Sequence, residues 1–435
     1  MASDLVGEVM EDIRSPLYRN AIFLIVHTLL VAGAGFFFWV IVSLLFGSDE
    51  AVGQALLLVS VMTLVVTVST LGFGTGLIRF LPTSKGDKGR MVNSALAVSA
   101  IVAAVLAIVV LLTMGLWFPA GADVLSLATL VPVFFLLAVL SVAVPIVDSS
   151  FLAGRKASYV VMRSSLFQAA RLIAPVVLIG LLGVIGVLAS LMVAHLFALG
   201  VAFAILLPRL YPGFRLTPVV DRDLLGEMIH FSLGNHVGEI FHILPYPALL
   251  VLITWLAGSA AAAFFGIPWI IAGILFAVPL MAGTSLYVEG SHFSDRLGRD
   301  LRRTLRFVLP LLVLGIAFVF FFAEWLLSLF DIAFPPEAVQ LLRILALSAI
   351  FVAVNGLFIS VARVKKWVKA IIALWAYIAV STIVLAYFLL PVFGLVGAGY
   401  AWFLGNGTAA LAVTAAYLLR RGSIRALFAA PAEEG

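Results

Sequence analysis

The 435-residue chain is 64% hydrophobic and only 11% Asp, Glu, Lys and Arg, with a mean hydropathy of +1.23. A soluble domain carries about 25% charge, so this is an integral membrane protein. The absence of cysteine excludes disulfides and thiolate metal sites, and the meaning of the net charge of +5 depends on where along the chain it falls.

Residues 1–20 are acidic and lack the short apolar core and cleavage site of a signal peptide. Leu5, Val6, Val9, Met10 and Ile13 recur at helical spacing, which fits an amphipathic helix lying on the membrane and equally a solvated tail. A spanning helix needs about 20 apolar residues. Twelve such stretches follow: 21–46, 51–80, 91–118, 123–152, 159–181, 184–208, 227–256, 260–288, 304–330, 338–362, 369–390 and 393–419. With the N-terminus inside, 24 of the 26 lysines and arginines fall on the inner side. The other two, Arg171 and Arg343, lie within helices, and the outer loops carry none. The positive-inside rule therefore predicts twelve spans with both termini cytoplasmic.

The sequence also repeats. LLGVIGVLASLMVAHLFALGVAFAILLPRL from 181 aligns without gaps on VFGLVGAGYAWFLGNGTAALAVTAAYLLRR from 392, pairing Gly183 with Gly394 and Gly186 with Gly397. GTGLIR (74–79) aligns with GTSLYV (283–288), and FLAGRKASYVV (151–161) resembles FISVARVKKWV (358–368). Six helices thus occur twice in one orientation. This predicts an all-α membrane fold of two six-helix lobes, 21–208 and 227–420, about a pseudo-twofold axis and a central cavity. A cytoplasmic linker, 209–226, joins the lobes, and 421–435 form a cytoplasmic tail. Like-oriented repeats with a substrate site between them are a transporter plan rather than an enzyme's.

Charged residues inside such helices cost about 2.5–3.5 kcal/mol each, so each asks for a reason. In GNHVGEIFH, residues 234–242, and just beyond it, Asn235, Glu239, His242 and Tyr246 fall at i, i+4, i+7 and i+11, with His236 beside them. Such a stripe is either a proton- or cation-coupling site or a hydrogen-bonded cluster that joins helices. Its H-x-x-E-x-x-H spacing is not the H-E-x-x-H of zinc proteases, so no metal is expected. Pro245 and Pro247 should bend the helix there. His27 aligns with His236, which would place the two opposite each other across the cavity. Arg79 and Glu289 close equivalent helices and could pair as a cytoplasmic gate; Arg79 could equally be a snorkelling anchor. Arg79, Arg155 and Arg171 could instead attract a phosphate-bearing substrate through the guanidinium fork. Asp148 and Arg171 are read as an ion pair within one lobe, Arg343 and Glu324 as interfacial, and Asn355 and Asn406 as helix–helix hydrogen bonders. Gly72 and Gly76 form a G-x-x-x-G packing face. There is no phosphate-binding loop, so the chain does not hydrolyse ATP.

Three stretches carry a family resemblance. LGFGTGLIRFLPTSKGDKGR (71–90), FLAGRKASYVVMRSSLFQAARLIAPVVL (151–178) and LLRILALSAIFVAVNGLFISVARVKKW (341–367) resemble the polysaccharide transporter branch of the multidrug/oligosaccharidyl-lipid/polysaccharide (MOP) superfamily, which includes O-antigen flippases. The resemblance implies a cavity lined by helices 1, 2, 7 and 8 and alternating access. It implies a polyprenyl-phosphate-linked oligosaccharide moved from the inner to the outer leaflet of the cell membrane, alongside glycosyltransferases and polymerases of the same pathway. No cofactor or nucleic acid is implied; coupling to protons, to sodium or to the membrane potential stays open, and the two-lobe plan makes a working monomer the expectation. Multidrug exporters of the superfamily carry a carboxylate in the first helix, which AIFLIVHTLLVAGAGFFFWVIVSLLF lacks. Lipid II flippases have two further helices and arginines in helix 1. The rival readings are a cation-coupled exporter, a membrane-embedded glycan polymerase or ligase, and an assembly scaffold.

Overall fold

The computed structural model describes residues 16–84, 87–117, 127–292 and 297–419. Residues 1–15 of the expected N-terminal helix and the tail 421–435 lie outside them. Every regular element among the described residues is helical, as backbone amides in hydrocarbon require. The helices are α1 (Pro16–Phe46), α2 (Asp49–Ser69), α3 (Phe73–Phe80), α4 (Lys88–Trp117), α5 (Leu127–Ser141), α6 (Ala143–Ala153) and α7 (Ala157–Leu182), then α8 (Val184–Leu210). They continue with α9 (Arg222–Ile243), α10 (Pro245–Ala257), α11 (Ser259–His292), α12 (Leu297–Phe321), α13 (Ala323–Leu327), α14 (Pro336–Val364), α15 (Val368–Phe393) and α16 (Leu395–Leu419).

By length and composition, ten segments of these helices can cross a membrane. In α1 the described apolar run is the shorter Leu30–Phe46. The apolar run of α16 is diluted by glycine, Asn406 and Thr408. Four stretches expected as single spans are divided, two of them with a plain local cause. Between α2 and α3, Leu71 and Gly72 take consecutive left-handed conformations, with φ 49° and 73°. Between α9 and α10 the helix is interrupted at Leu244, because Pro245 and Pro247 lack the N–H groups that would reach back one turn.

The chain forms two compact units. The first comprises the chain up to Phe46 and Leu58–His236; the second comprises Gly47–Leu57 and the chain from Val237 onward. Within the first, α1 packs on α7, α7 on α8, α5 on α8 and α3 on α6. Within the second, α11 packs on α14, α14 and α15 on α16, and α10 on α15.

The repeat is visible in the backbone, within each unit taken alone. In the α6–α7 turn, Gly154, Arg155 and Lys156 donate their N–H groups to Ser150, Leu152 and Phe151. In the α14–α15 turn, Lys365, Lys366 and Trp367 donate to Val361, Arg363 and Ala362, the same pattern 211 residues on. Arg155 and Lys366 occupy the one left-handed position in each, with φ 55° and 57°. The gapless overlay of 151–161 on 358–368 pairs Arg155 with Ala362 and is therefore one helical turn out. Hydrogen-bond closure of the turn sets the register, not side-chain likeness. The next turn repeats at the same spacing. Gly183 has φ 56°, ψ −132°, and Gly394 has φ 56°, ψ −145°, a region open in practice only to glycine. The Gly186 and Gly397 amides donate to the carbonyls of Gly183 and Gly394. A Cβ at Gly186 would run into the Leu178 carbonyl, and one at Gly397 into that of Leu389. Gly74 and Gly283 likewise each lie against a serine hydroxyl, Ser149 and Ser360.

The expected linker is a packed strap rather than a free spacer. Asn93 on α4 donates to the Arg215 carbonyl and the Thr217 hydroxyl, and the Asp221 amide donates to Ser94 Oγ. Arg90 pairs with Asp221 at 3.5 Å. Tyr211, buried enough that its phenol is pushed up to about 12, donates to the Ser150 carbonyl at 2.7 Å.

Because backbone blocks both sites, Gly186→Ala and Gly397→Ala should each destabilise the purified protein by about 1–3 kcal/mol. Gly180→Ala is the control, since its Cβ meets nothing within 4 Å and alanine favours helix. Thermal unfolding in detergent checks this; equal effects at all three positions would show that the tight turns do not govern stability.

Candidate functional site

The polar residues of α9 divide between the two units. His236 is buried in the first, and its Nε2 lies 3.3 Å from the Val68 carbonyl, to which it can donate. Gly72 and Gly76 let this approach happen. A Cβ at Gly72 would stand 2.8 Å from the Ser232 carbonyl, and one at Gly76 2.7 Å from Ser232 Oγ. The G-x-x-x-G face is therefore a seat for α9. The side chain of Asn235 lies outside the described residues.

One turn later, in the second unit, Glu239 is exposed and is a charged neighbour of His242. Gly238 brings α9 against Ile371, Ile372 and Trp375 of α15. The His242 ring lies on the Trp375 indole, with centroids 4.1 Å apart and planes at 42°; Arg363 is its other charged neighbour. Tyr246, beyond the interruption, stacks on Trp269 at 5.4 Å in an aromatic series that includes Phe265, Phe276 and Trp402. The expected stripe is thus three environments: a backbone-bonded histidine, an acid–imidazole–indole group, and an aromatic core.

In the first unit the structure assembles a different charge group from the one expected. Asp148 on α6 is held by Arg163 on α7 through two contacts, Nε–Oδ1 at 2.6 Å and Nη2–Oδ2 at 2.8 Å. Arg171 is not its partner. α6 and α7 form an antiparallel hairpin about the 154–156 turn, so residues equidistant from the turn meet. Asp148 and Arg163 satisfy that symmetry, whereas Arg171 lies about 12 Å farther along the helix. Arg163, grouped by sequence with the interfacial bases, is buried. Arg171 instead places its guanidinium over the Phe38 ring of α1, 4.2 Å from the centroid, and donates to Gln168 Oε1 at 3.3 Å. His195 on α8 stacks on Phe167 at 4.3 Å.

His27 is a charged-pair neighbour of Asp148 and Arg163. His236 sits against the Val68 carbonyl near the end of α2, so the surroundings of the two aligned histidines differ. Arg79 is exposed, with its guanidinium 5.5 Å from the Phe80 ring. Arg155 is exposed at the left-handed turn position. The side chain of Glu289 lies outside the described residues. In the second unit Arg343 pairs with Glu324 at 3.5 Å and donates to the Phe320 carbonyl. Asn355 donates to the Asn406 carbonyl at 3.1 Å, joining α14 to α16. Among the described residues no group of three or more His, Asp or Glu could hold a metal ion.

Sequence reasoning missed Arg163, His195 and Trp375 as site residues. The first two had usable signals: the mirror relation of Asp148 and Arg163 about the RK turn, and the alignment of His195 with Asn406.

Removing one member of the Asp148–Arg163 pair leaves the other buried and uncompensated, which typically costs about 3–5 kcal/mol. Asp148→Asn should therefore destabilise the protein strongly, and Asp148→Asn with Arg163→Met should recover most of that loss. Thermal unfolding of the single and double variants checks it; simple additivity would mean the two side chains are not coupled.

No protein-family model matches the sequence, and no curated protein matches it. Solved structures do. The chain aligns with an inward-facing multidrug resistance MATE family transporter of the MOP superfamily at TM-score 0.68 and 16% identity, covering 91% of this chain and 94% of that one. It aligns with the lipid II flippase MurJ in an inward closed conformation at TM-score 0.70 and 13% identity, covering 90% and 86%. A MOP superfamily transporter from Pyrococcus furiosus, whose structure is described as having a binding pocket of reversed polarity, aligns at TM-score 0.61 and 16% identity over 95% and 96%. The chain has the multi-pass helical membrane fold shared by MOP superfamily transporters, drug exporters and a lipid-linked flippase alike.

Proposed function

We propose that this protein is a twelve-helix flippase that carries a polyprenyl-phosphate-linked oligosaccharide from the inner to the outer leaflet of the cell membrane by alternating access. In this reading α1 and α16 complete the set of spans, both termini are cytoplasmic, and the two compact units correspond to the two six-helix lobes. The observation that carries it is the Asp148–Arg163 pair. Asp148 is the acid held between the helices of the first unit, and both of its oxygens are bonded to a guanidinium. No carboxylate is present in the sequence of α1. An exporter that coupled through an acid of the first unit would need that acid to release and take up its ion; there the Asp148 charge is already neutralised by Arg163. The fold similarity to both exporters and a flippase supports transport without choosing between them, and the charge arrangement favours an anionic cargo. Arg79 and Arg155, exposed at inner helix ends, are suited to meet the phosphate groups, since each guanidinium can donate two parallel hydrogen bonds to one phosphate.

Glu239 is the ionisable group assigned to coupling in this reading, because it is exposed and is a charged neighbour of His242. In proteoliposomes, the protein should move a fluorescent polyprenyl-pyrophosphate oligosaccharide across the bilayer and should not extrude cationic dyes. Glu239→Gln should slow flipping at least about tenfold while leaving insertion and unfolding temperature unchanged, a loss of about 1.4 kcal/mol in the transport barrier. Dye extrusion without lipid movement would establish the exporter reading. Normal flipping by the Gln variant across pH would remove Glu239 from the mechanism.

A further inference from the structure

Within the helices of the first unit, one described acid, Asp148, stands against two arginines, Arg163 and Arg171. Asp148 cancels Arg163, and Arg171 remains. Its Nη1 donates to a neutral amide, Gln168, and its face is covered by the Phe38 ring. Its Nε–H is buried without a hydrogen-bond partner, and so is Nδ1 of His195. Both groups flank one aromatic ring: the His195 imidazole stacks on Phe167 at 4.3 Å, and the Arg171 guanidinium carbon is 5.9 Å from the same centroid. Arg171 is also among the charged neighbours of His195. Facing the guanidinium from α1 is Gly35, where even an added Cβ would stay 3.9 Å from Arg171 Nη2. Three helices therefore surround a half-buried cation whose enclosed Nε–H is unsatisfied, with the Phe38 ring of α1 over one face and only the small Gly35 of α1 beside Nη2.

The repeat shows that packing does not require this charge. With the offset fixed at 211 by the turns on both sides, Arg171 corresponds to Thr382 and His195 to Asn406. The second unit builds the same helix pair with neutral side chains, both buried. A lone charge in an apolar setting is costly unless it is paired.

We propose that Arg171 and His195 form a binding site for a small inorganic monoanion, of which chloride is the probe, held between α1, α7 and α8. The Nε–H supplies one hydrogen bond, and His195, in the tautomer with its proton on Nδ1, supplies a second. The ion neutralises the guanidinium and ties α1 to the α7–α8 hairpin. This site is separate from the carrier phosphates assigned to Arg79 and Arg155, and it stands whether the cargo is a lipid-linked glycan or a drug.

The test is thermal unfolding of the full-length protein in detergent, in chloride against gluconate at fixed cation and ionic strength. A saturable rise of about 2–4 °C with chloride is expected for a ligand that binds only the folded state. The rise should vanish in Arg171→Gln and shrink in His195→Phe, which keeps the stack on Phe167 and removes Nδ1. If Arg171→Gln does not fold, the His195 variant decides alone. Equal stability of the wild type in the two salts would show that Gln168 and Phe38 close the site unaided and would overturn the proposal. So would a chloride effect that persists in the folded variants. A stabilisation by inorganic phosphate that chloride does not reproduce would overturn the monoanion assignment and make Arg171 part of the carrier-phosphate site.

Discussion

Hydrocarbon leaves the backbone no partner but itself, and it leaves a charge no partner but another side chain. The first condition makes every regular element described here a helix. The second sorts the polar residues of those helices by how each charge is met. Asp148 and Arg163 meet each other across a hairpin. Arg343 takes Glu324 and a backbone carbonyl near a helix end. Asn355 on α14 donates its amide to the backbone and side-chain carbonyls of Asn406 on α16. These arrangements close locally and hold helices together. Arg171, whose Nε–H has no hydrogen-bond partner, does not fit that description, which is why a ligand is sought there.

Much of the helical layout was legible in the sequence because long apolar runs have a single option in a bilayer, and because the basic residues cluster on one side of the predicted topology. Helix interruptions were legible where a proline removes a donor, as at Pro245. They were not legible at Leu71, a residue whose left-handed conformation no composition rule anticipates. The repeat was readable to within one turn of helix. Glycines at 183 and 394 fixed it near α8 and α16, but at the α6–α7 turn the left-handed position is filled by Arg155 and Lys366, whose side chains do not announce their backbone geometry.

Site residues were harder to read, for a reason specific to helical membrane proteins. Spacing along one helix shows which side chains share a face; it does not show what that face meets. The α9 stripe has sound helical periodicity, yet His236 is taken up by the Val68 carbonyl, His242 by Trp375 and Tyr246 by Trp269. The Asp148 partner shows the opposite case. Hairpin symmetry about a known turn predicts Arg163 without any structure, and nearness in rank order of charges does not.

The two units share backbone devices but not electrostatics. Left-handed turn residues, glycines pressed on carbonyls, and glycines against serine hydroxyls recur 209 or 211 residues apart. The charges do not: Asp148, Arg163 and Arg171 correspond to Ile359, Leu374 and Thr382. A residue required by the architecture should recur wherever the architecture does, as the tight turns do here. The asymmetric charges answer to something that acts on one unit and not on the other, and in the transport reading proposed above that is an ion or a cargo. Similarity of fold cannot name that ligand. The difference between two halves of one chain narrows it to chemistry that a half-buried guanidinium in the first half, and neutral amide and hydroxyl groups in the second, can distinguish.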